Sequence, residues 1–382
     1  MEALDKTLSS LDQDLRKRLN GAGFDREHFL ALAATLAEGD PATRRRTRNT
    51  VKGEVSAPEP GEVGKLPAEG TPEHERLRAR GEEAMKNGQL AFCTMAGGMA
   101  TRMGGIVKAL AEVTPGHSFL DMRLAENRTA STRAGRPVPL WLMTSDATND
   151  AIVHALAKAG APSHVAAFRQ NLSLRLNPDG SLFIGDDGQP SEHATGHGDL
   201  VDALRRSHLL DRFLESGGKY VWITNVDNLG ASIDAVVLGQ FLDAVDKGTD
   251  VQCEVCRKEG DKGGIPVHAE GKLQVLEEFR LPAAFDPTTV SVFNTNTFLV
   301  RAQPLAKKPL TWRYFEVEKK VDGRTALQFE RLLQEITAQM PSSYLEVSRD
   351  GASSRFLPVK DFDELAKRRA NIELVARARG ML

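Results

Sequence analysis

Leu90-Ala-Phe-Cys-Thr-Met-Ala96, followed at once by Gly97-Gly-Met-Ala-Thr-Arg-Met-Gly-Gly-Ile-Val-Lys108, is the stretch whose reading decides the fold. The first part is a short, largely apolar run of strand length and reads as a buried strand. The second is a loop carrying Gly97, Gly98, Gly104 and Gly105, with Arg102 and Lys108 interleaved. Glycines let backbone approach a ligand closely and let N–H groups converge on an anion, and Arg and Lys add full positive charge. In a parallel α/β sheet such a loop lies where ligands bind, beyond the carboxyl end of its strand. It is neither a Walker loop, lacking Gly-Lys-Ser/Thr, nor a Gly-x-Gly-x-x-Gly loop. A plain structural turn is the competing local reading.

Outward from this stretch the chain alternates. Upstream, a helical segment breaks at Asn87-Gly88. Downstream, Ser118-Phe-Leu-Asp121 opens a helix with a capping box. Val138 to Met143 reads as a second buried strand, Asn149 to Ala159 as a helix, Leu200 to Leu214 as one long amphipathic helix, and Lys219 to Thr224 as a further strand. This alternation predicts an α/β fold with a mainly parallel sheet and helices on both faces. Asp250 to Val300 has more strand character and predicts an antiparallel extension carrying half of a site. Asp361 to Gly380 reads as a basic helix.

At the other end, Leu4, Leu8, Leu11, Leu15 and Leu19 form one apolar helical stripe, read as a docking surface. The run Arg44, Arg45, Arg46, Arg48 and the Pro58, Pro60, Pro67, Pro72 segment read as a tether or strap. The arginines are taken as a solvated charge run, with phosphate or RNA contact as the alternative.

Composition sets limits. With 50 Lys plus Arg against 52 Asp plus Glu, the net charge of the 382 residues is −2. That excludes a whole-protein nucleic-acid or anionic-membrane binder, so phosphate chemistry must come from locally placed cations. The 3 cysteines exclude a disulfide scaffold, and Cys253-Glu-Val-Cys256 has no second pair to complete a zinc site. There is no apolar signal-peptide core and no run of about 20 apolar residues, so a cytoplasmic protein is expected. Asp227, in Thr224-Asn-Val-Asp-Asn-Leu-Gly230 at a strand end, is the metal candidate, because one or two carboxylates plus substrate phosphates commonly hold Mg²⁺. An Asx turn is its local alternative.

These stretches together resemble the UDP-sugar pyrophosphorylase family, the eukaryote-type UTP–glucose-1-phosphate uridylyltransferases and their UDP-N-acetylhexosamine relatives. The resemblance runs from about residue 78 to 366. Its carriers are the glycine loop with Lys108, Phe168-Arg-Gln170, Gly196-His-Gly-Asp199, Asn225 to Asp234, Lys262-Gly-Gly264, Phe293-Asn-Thr-Asn296, Gln328-Phe-Glu330 and Arg355-Phe-Leu-Pro-Val-Lys360. The resemblance implies a Rossmann-like nucleotide-diphospho-sugar transferase fold (GT-A-like). With the patterns read above, an N-terminal helical segment and Pro-rich strap over 1–75, a nucleotidyltransferase catalytic domain over 76–366 and a C-terminal helix over 367–382 are expected. The implied reaction is uridylyl transfer from UTP to a sugar 1-phosphate, glucose 1-phosphate favoured, with Mg²⁺ as cofactor and UDP-sugar and pyrophosphate as products. A UDP-N-acetylglucosamine or broad UDP-sugar pyrophosphorylase is the alternative, as is a catalytically weakened UDP-sugar-binding protein.

Carried over by position, Gly97, Gly98, Gln170, Gly196 and His197 would bind the nucleotide. Gly264, Glu277 and Asn294 would bind the sugar, Asp227 the metal, and Lys108, Arg102, Lys319 and Lys360 the phosphates. Two departures stand out: Val107 replaces the usual proline before Lys108, and Val317-Glu-Lys319 replaces Asn-Pro-Lys, leaving Lys319 and Lys320 as rivals. Glucose-type relatives continue past Pro-Val-Lys into a β-helix used in oligomer contacts. Here the sequence stops at Leu382, so a monomer is expected.

Overall fold

The computed structural model describes residues 2–100 and 104–382. Its centre is an eight-stranded sheet made of β1 (Val63–Lys65), β2 (Leu90–Met95), β3 (Leu140–Thr144), β4 (Val165–Arg169), β5 (Tyr220–Asn225), β6 (Val251–Arg257), β7 (Val292–Arg301) and β8 (Ser342–Glu346). The spatial order is β1-β8-β6-β7-β5-β2-β3-β4. Every neighbouring pair is parallel except those made by β7, which runs against both β5 and β6. From β2 the chain steps outward to β3 and β4, then returns to place β5 on the other side of β2. The switch point therefore lies between β2 and β5, where open α/β sheets bind ligands.

β2 shows why the sheet forms here. All six of its residues are buried, and alternate side chains enter opposite layers. Leu90 and Phe92 join one apolar cluster, while Ala91, Cys93 and Met95 join the other. The helices are α1 (Glu2–Ser9), α2 (Gln13–Gly21), α3 (Arg26–Ala34), α4 (Pro41–Asn49), α5 (Pro72–Lys86), α6 (Phe119–Ala134), α7 (Asp146–Lys158), α8 (Leu200–Arg206), α9 (Leu209–Glu215), α10 (Ala235–Asp246), α11 (Ala302–Lys307) and α12 (Phe362–Ala378). Apolar residues of α5, α6, α7, α10 and α12 fill the first cluster, and those of α8, α9 and α11 the second. No helix among the described residues is long and apolar enough to cross a membrane.

A third core forms from the leucine stripe. Leu4, Leu8, Leu15 and Leu19 join Phe29, Leu32 and Leu36, and close over Leu172, Leu174, Leu327 and Phe329. The docking surface is thus occupied within the chain.

Several expectations need correction. The helix expected over Leu200 to Leu214 is two, separated at His208, whose φ of 57° is left-handed. The Arg44 to Arg48 run lies in α4, not in a tether, and Arg44 is buried. The strap is woven into the fold: Val55–Ser56 pairs with Ile265–Ala269, and β1 extends the main sheet. The expected boundaries at 75/76 and 366/367 fall within α5 and α12. The capping box at Ser118 and Asp121 forms as expected.

Candidate active site

The carboxyl ends of the parallel strands and the amino end of β7 meet at one edge, and most of the predicted residues lie along it. After β2, Gly97 passes so close to β3 and β4 that a Cβ would lie 3.0 Å from Gln170 Oε1 and 3.1 Å from the Ser145 nitrogen. Its glycine is a matter of room. Gly98 faces open space, and its carbonyl accepts the Lys108 N–H at 3.1 Å. Met99–Ala100 then pairs with Ile106–Val107, and Gly104 and Gly105 turn the chain with φ of 81° and 74°. Arg102, expected at the phosphates, lies outside the described residues. Val107 has φ −62°, the value proline would impose, so the departure from Pro-Lys does not misdirect the next residue.

That residue, Lys108, extends its Nζ to 2.5 Å from Asp227 Oδ2. The pair spans the switch point, with Lys108 beyond β2 and Asp227 beyond β5. Backbone locks the two loops together, the Val226 N–H donating to the Met95 carbonyl at 3.1 Å. Asp227 differs from its neighbours in what it faces. Asn225 Oδ1 accepts from Asn296 Nδ2 at 3.1 Å. Asn228 is 1% exposed; its Oδ1 accepts the Leu357 N–H at 2.8 Å and its Nδ2 donates to the Arg355 carbonyl at 3.2 Å. A Cβ on Gly230 would lie 2.7 Å from Arg355 carbon. The motif thus fastens the segment leading to Lys360 onto the Asp227 loop. Arg355 completes the join, donating to Glu254 at 2.8 and 2.7 Å and to the Ser232 carbonyl at 3.0 Å, entirely buried. Lys360 itself is exposed and enters no ion pair among the described residues; its N–H donates to Glu364.

On the β3–β4 side, Gln170 is fixed by its N–H to the Thr144 carbonyl at 2.8 Å. Gly196 (φ 91°) and Gly198 press on the Arg331 backbone, a Cβ on either meeting it at 2.5 and 2.8 Å. His197 Nδ1 accepts the Leu333 N–H at 3.1 Å, so the ring proton sits on Nε2. Burial pushes its pKa down to about 4, and the ring is neutral at pH 7. Asp199 and Arg331 form a buried pair at 2.6 Å that holds this turn.

On the β6–β7 side, the Asn294 N–H donates to the Gly264 carbonyl at 2.8 Å. Its Oδ1 accepts the Asn296 N–H and the Cys253 thiol, leaving its NH₂ to donate. Gly264 gives room for Glu277, whose Oε1 would lie 3.0 Å from a Cβ there. Gln334 Nε2 donates to that same Oε1 at 2.5 Å. Burial, then the neighbouring Glu278 charge, raises the Glu277 carboxyl above its ordinary pKa. Glu277, Gly264 and Asn294 are therefore brought together.

The rival lysines separate by register. In the ribbon Phe315–Val321 with Arg324–Glu330, alternate residues face opposite sides. Lys319 lies beside Glu330, at 3.6 Å, on the side of Gln328 and Arg175. Lys320 turns away and donates to Thr325 Oγ1 at 2.7 Å. Lys319 meets neither Lys108 nor Asp227 directly; it arrives from a separate ribbon. Cys253 and Cys256 are buried in β6 as structural thiols, their pKa raised by burial.

The sequence reading missed the residues that hold the site from behind. Arg123 of α6, fully buried, donates to the carbonyls of Asn225, Asn228 and Ala231 and pairs with Glu126. Its helical i, i+3 spacing from Glu126 was the available signal. Gln334 gave none.

The family model for UTP–glucose-1-phosphate uridylyltransferase matches residues 46–377. Relatives of that name from Musa acuminata and Hordeum vulgare are 30% and 29% identical over 294 and 295 residues, each match covering 72% of this chain. The matches cover 62% and 61% of those relatives, so the chain spans about three fifths of their length. Among solved structures, UDP-N-acetylglucosamine pyrophosphorylase from Trypanosoma brucei in complex with inhibitor superposes with a TM-score of 0.71 at 21% identity, covering 95% of this chain and 84% of that one. A mutant UDP-glucose pyrophosphorylase from Leishmania major in complex with UDP-glucose gives 0.70 at 24% identity, covering 96% and 78%. The solved structures share the fold, and the family match spans every strand of the central sheet: this chain belongs to the UTP–glucose-1-phosphate uridylyltransferase family.

Proposed function

We propose that the chain transfers the uridylyl group of UTP to a sugar 1-phosphate, glucose 1-phosphate foremost, giving UDP-glucose and pyrophosphate. The observation that carries this is the meeting of Lys108 and Asp227 at the switch point, flanked by Gln170 on one side and by Glu277 with Asn294 on the other. A phosphate oxygen of the sugar would attack the α-phosphorus of UTP while the bond to the β-phosphate oxygen breaks. The nucleophile is already anionic, so no general base is required. What the reaction needs is alignment of two polyanions and stabilisation of charge on the equatorial oxygens.

The Gln170 amide both donates and accepts, matching the uracil edge, and Gly97, having no Cβ, lets that amide lie against its backbone. His197, neutral, offers its Nε2 proton toward base or ribose. Asn294 would donate to a sugar hydroxyl and Glu277 accept from one. Lys108, Lys319 and Lys360 are the proposed phosphate cations. Mg²⁺ is the proposed cofactor, supplying positive charge to the phosphate oxygens when bound. No group of three or more His, Cys, Asp or Glu side chains suited to a metal lies among the described residues. The single carboxylate of Asp227 suits an ion whose other ligands are phosphate oxygens and water.

The test is pyrophosphate release from UTP and Mg²⁺ with glucose, galactose and N-acetylglucosamine 1-phosphates. Turnover with glucose 1-phosphate supports the proposal, and preference for another sugar moves the specificity. Tight UDP-glucose binding without turnover on any sugar replaces it with a UDP-sugar-binding protein.

A further inference from the structure

The arginine run of α4 does something no phosphate contact explains. Arg44 is 6% exposed and Glu316 7%. Arg44 donates to both Glu316 oxygens at 2.9 Å and to the Leu36 carbonyl at 2.8 Å. Arg45 adds a second pairing to Glu316 at 3.3 Å. Glu316 lies in the ribbon that carries Lys319, on its opposite face. That ribbon is two-stranded; among the described residues one β-bridge, Leu176 to Leu327, joins it to another segment, with Arg175–Gln328 and Arg324–Asp186 as side-chain ties. Two strands alone are marginally stable in water, so the ribbon's position depends on what it packs against. One face, through Leu327 and Phe329, enters the core of the N-terminal helices; the other presents Lys319.

We infer that Arg44 is a positioning residue: by locking Glu316 it sets the ribbon, and so the reach of Lys319 toward the phosphates. The other anchors of the N-terminal helices share this pattern. Arg18 of α2 holds Glu192 at 2.6 and 3.0 Å, five residues before His197. The Leu172 N–H donates to the Ala22 carbonyl at 3.3 Å, two residues after Gln170. The inference rests on the phosphate role proposed for Lys319.

Removing Arg44 alone strands a buried carboxylate and threatens folding. The informative variant is therefore R44M/E316M, which removes both charges at similar volume and, of the buried groups Arg44 holds, leaves unpaired only the Leu36 carbonyl, so that it should stay folded with a modestly lower melting temperature. With the full chain, UTP, Mg²⁺ and glucose 1-phosphate, R44M/E316M should lose turnover by on the order of 10- to 100-fold, as a misplaced group does. K319M should lose as much or more, and R44M/E316M/K319M should be no slower than K319M. A triple variant slowed by the product of the two losses would mean independent structural effects and overturn the inference, as would full turnover in R44M/E316M. If K319M is slow and R44M/E316M is not, only the role of Arg44 falls. If K319M turns over normally, the Lys319 assignment falls and takes Arg44 with it. Should the parent release no pyrophosphate with any sugar, UTP affinity measured calorimetrically on the same four proteins reads the same coupling.

Discussion

Asp227 and Asn228 are adjacent in one motif, yet the structure assigns them opposite kinds of work, and replacing each by Ala should separate them. Asn228, 1% exposed, satisfies two buried backbone groups, the Leu357 N–H and the Arg355 carbonyl. Leaving a buried polar group unpaired costs about 1–3 kcal/mol, so N228A should lose about 2–5 kcal/mol once partial relaxation is allowed. That is a large part of a stability typically about 5–15 kcal/mol. Asp227 is buried but makes one ion pair, with Lys108, whose side chain is 20% exposed and can turn its ammonium to water once Asp227 is gone, so D227A should cost only about 1 kcal/mol. Turnover should run the other way. D227A, folded, should lose at least about 100-fold in pyrophosphate release, the scale of removing a group that stabilises transition-state charge. Urea unfolding at constant slope gives the first quantity and initial rates on the folded fraction give the second. If D227A is as unstable as N228A, or N228A unfolds like the parent, the division of labour drawn here is wrong. If D227A retains turnover, the metal assignment is wrong.

Register between Lys319 and Lys320 predicts that K319A slows pyrophosphate release at least about tenfold while K320A changes it less than about twofold; steady-state rates decide it. Gly198→Ala forces the Arg331–Leu332 backbone to yield, since a Cβ would lie 2.8 Å from it. We expect about 1–3 kcal/mol lost in thermal unfolding and weaker UTP binding by calorimetry, because the Leu333 N–H that holds His197 moves with that segment. His197 has its pKa lowered from 6.5 to about 4 and His193 to about 3, so below pH 6.5 the unfolded chain takes up protons that the folded chain refuses. The stability these two histidines contribute should be full above pH 6.5 and fall as the pH drops toward 3. The His197 share is at most about 3 kcal/mol, and H197N should flatten the curve between those values in urea titrations.

The parallel sheet and its ligand edge were legible because β2 and β3 are continuous apolar runs of strand length bounded by turn residues, a pattern with few alternatives. The site loops were legible for a related reason: Gly97, Gly196 and Gly264 stand where a Cβ would strike a neighbour, and glycine is conspicuous. Less could be read where contacts are distant in sequence. Nothing local marks Arg44 as the partner of a glutamate 272 residues away, and a charge run is ordinarily solvated. The helix break at His208 was hidden because Ser207-His208 carries no Gly or Pro, and only the packing of α9 requires the left-handed residue. Gln334 and Asn296 act through amides, whose types carry no chemical signature in a sequence.

β7 has a consequence for how the two substrates' pockets can change. Because it runs backwards, its entry rather than its exit lies at the same edge as the carboxyl ends of the parallel strands, and the excursion from residue 258 to 291 between β6 and β7 begins and ends on the β6–β7 side of that edge. Gly264 and Glu277 belong to that excursion, whereas Gly97, Gln170 and Asp227 leave other strands. On the roles proposed for Gly264 and Glu277, an insertion or exchange within 258–291 should reshape the sugar pocket while the loops after β2, β4 and β5 keep their frame. Sugar preference and nucleotide preference would then be separable on one sheet, and transplanting this excursion between relatives should change the UDP-sugar made.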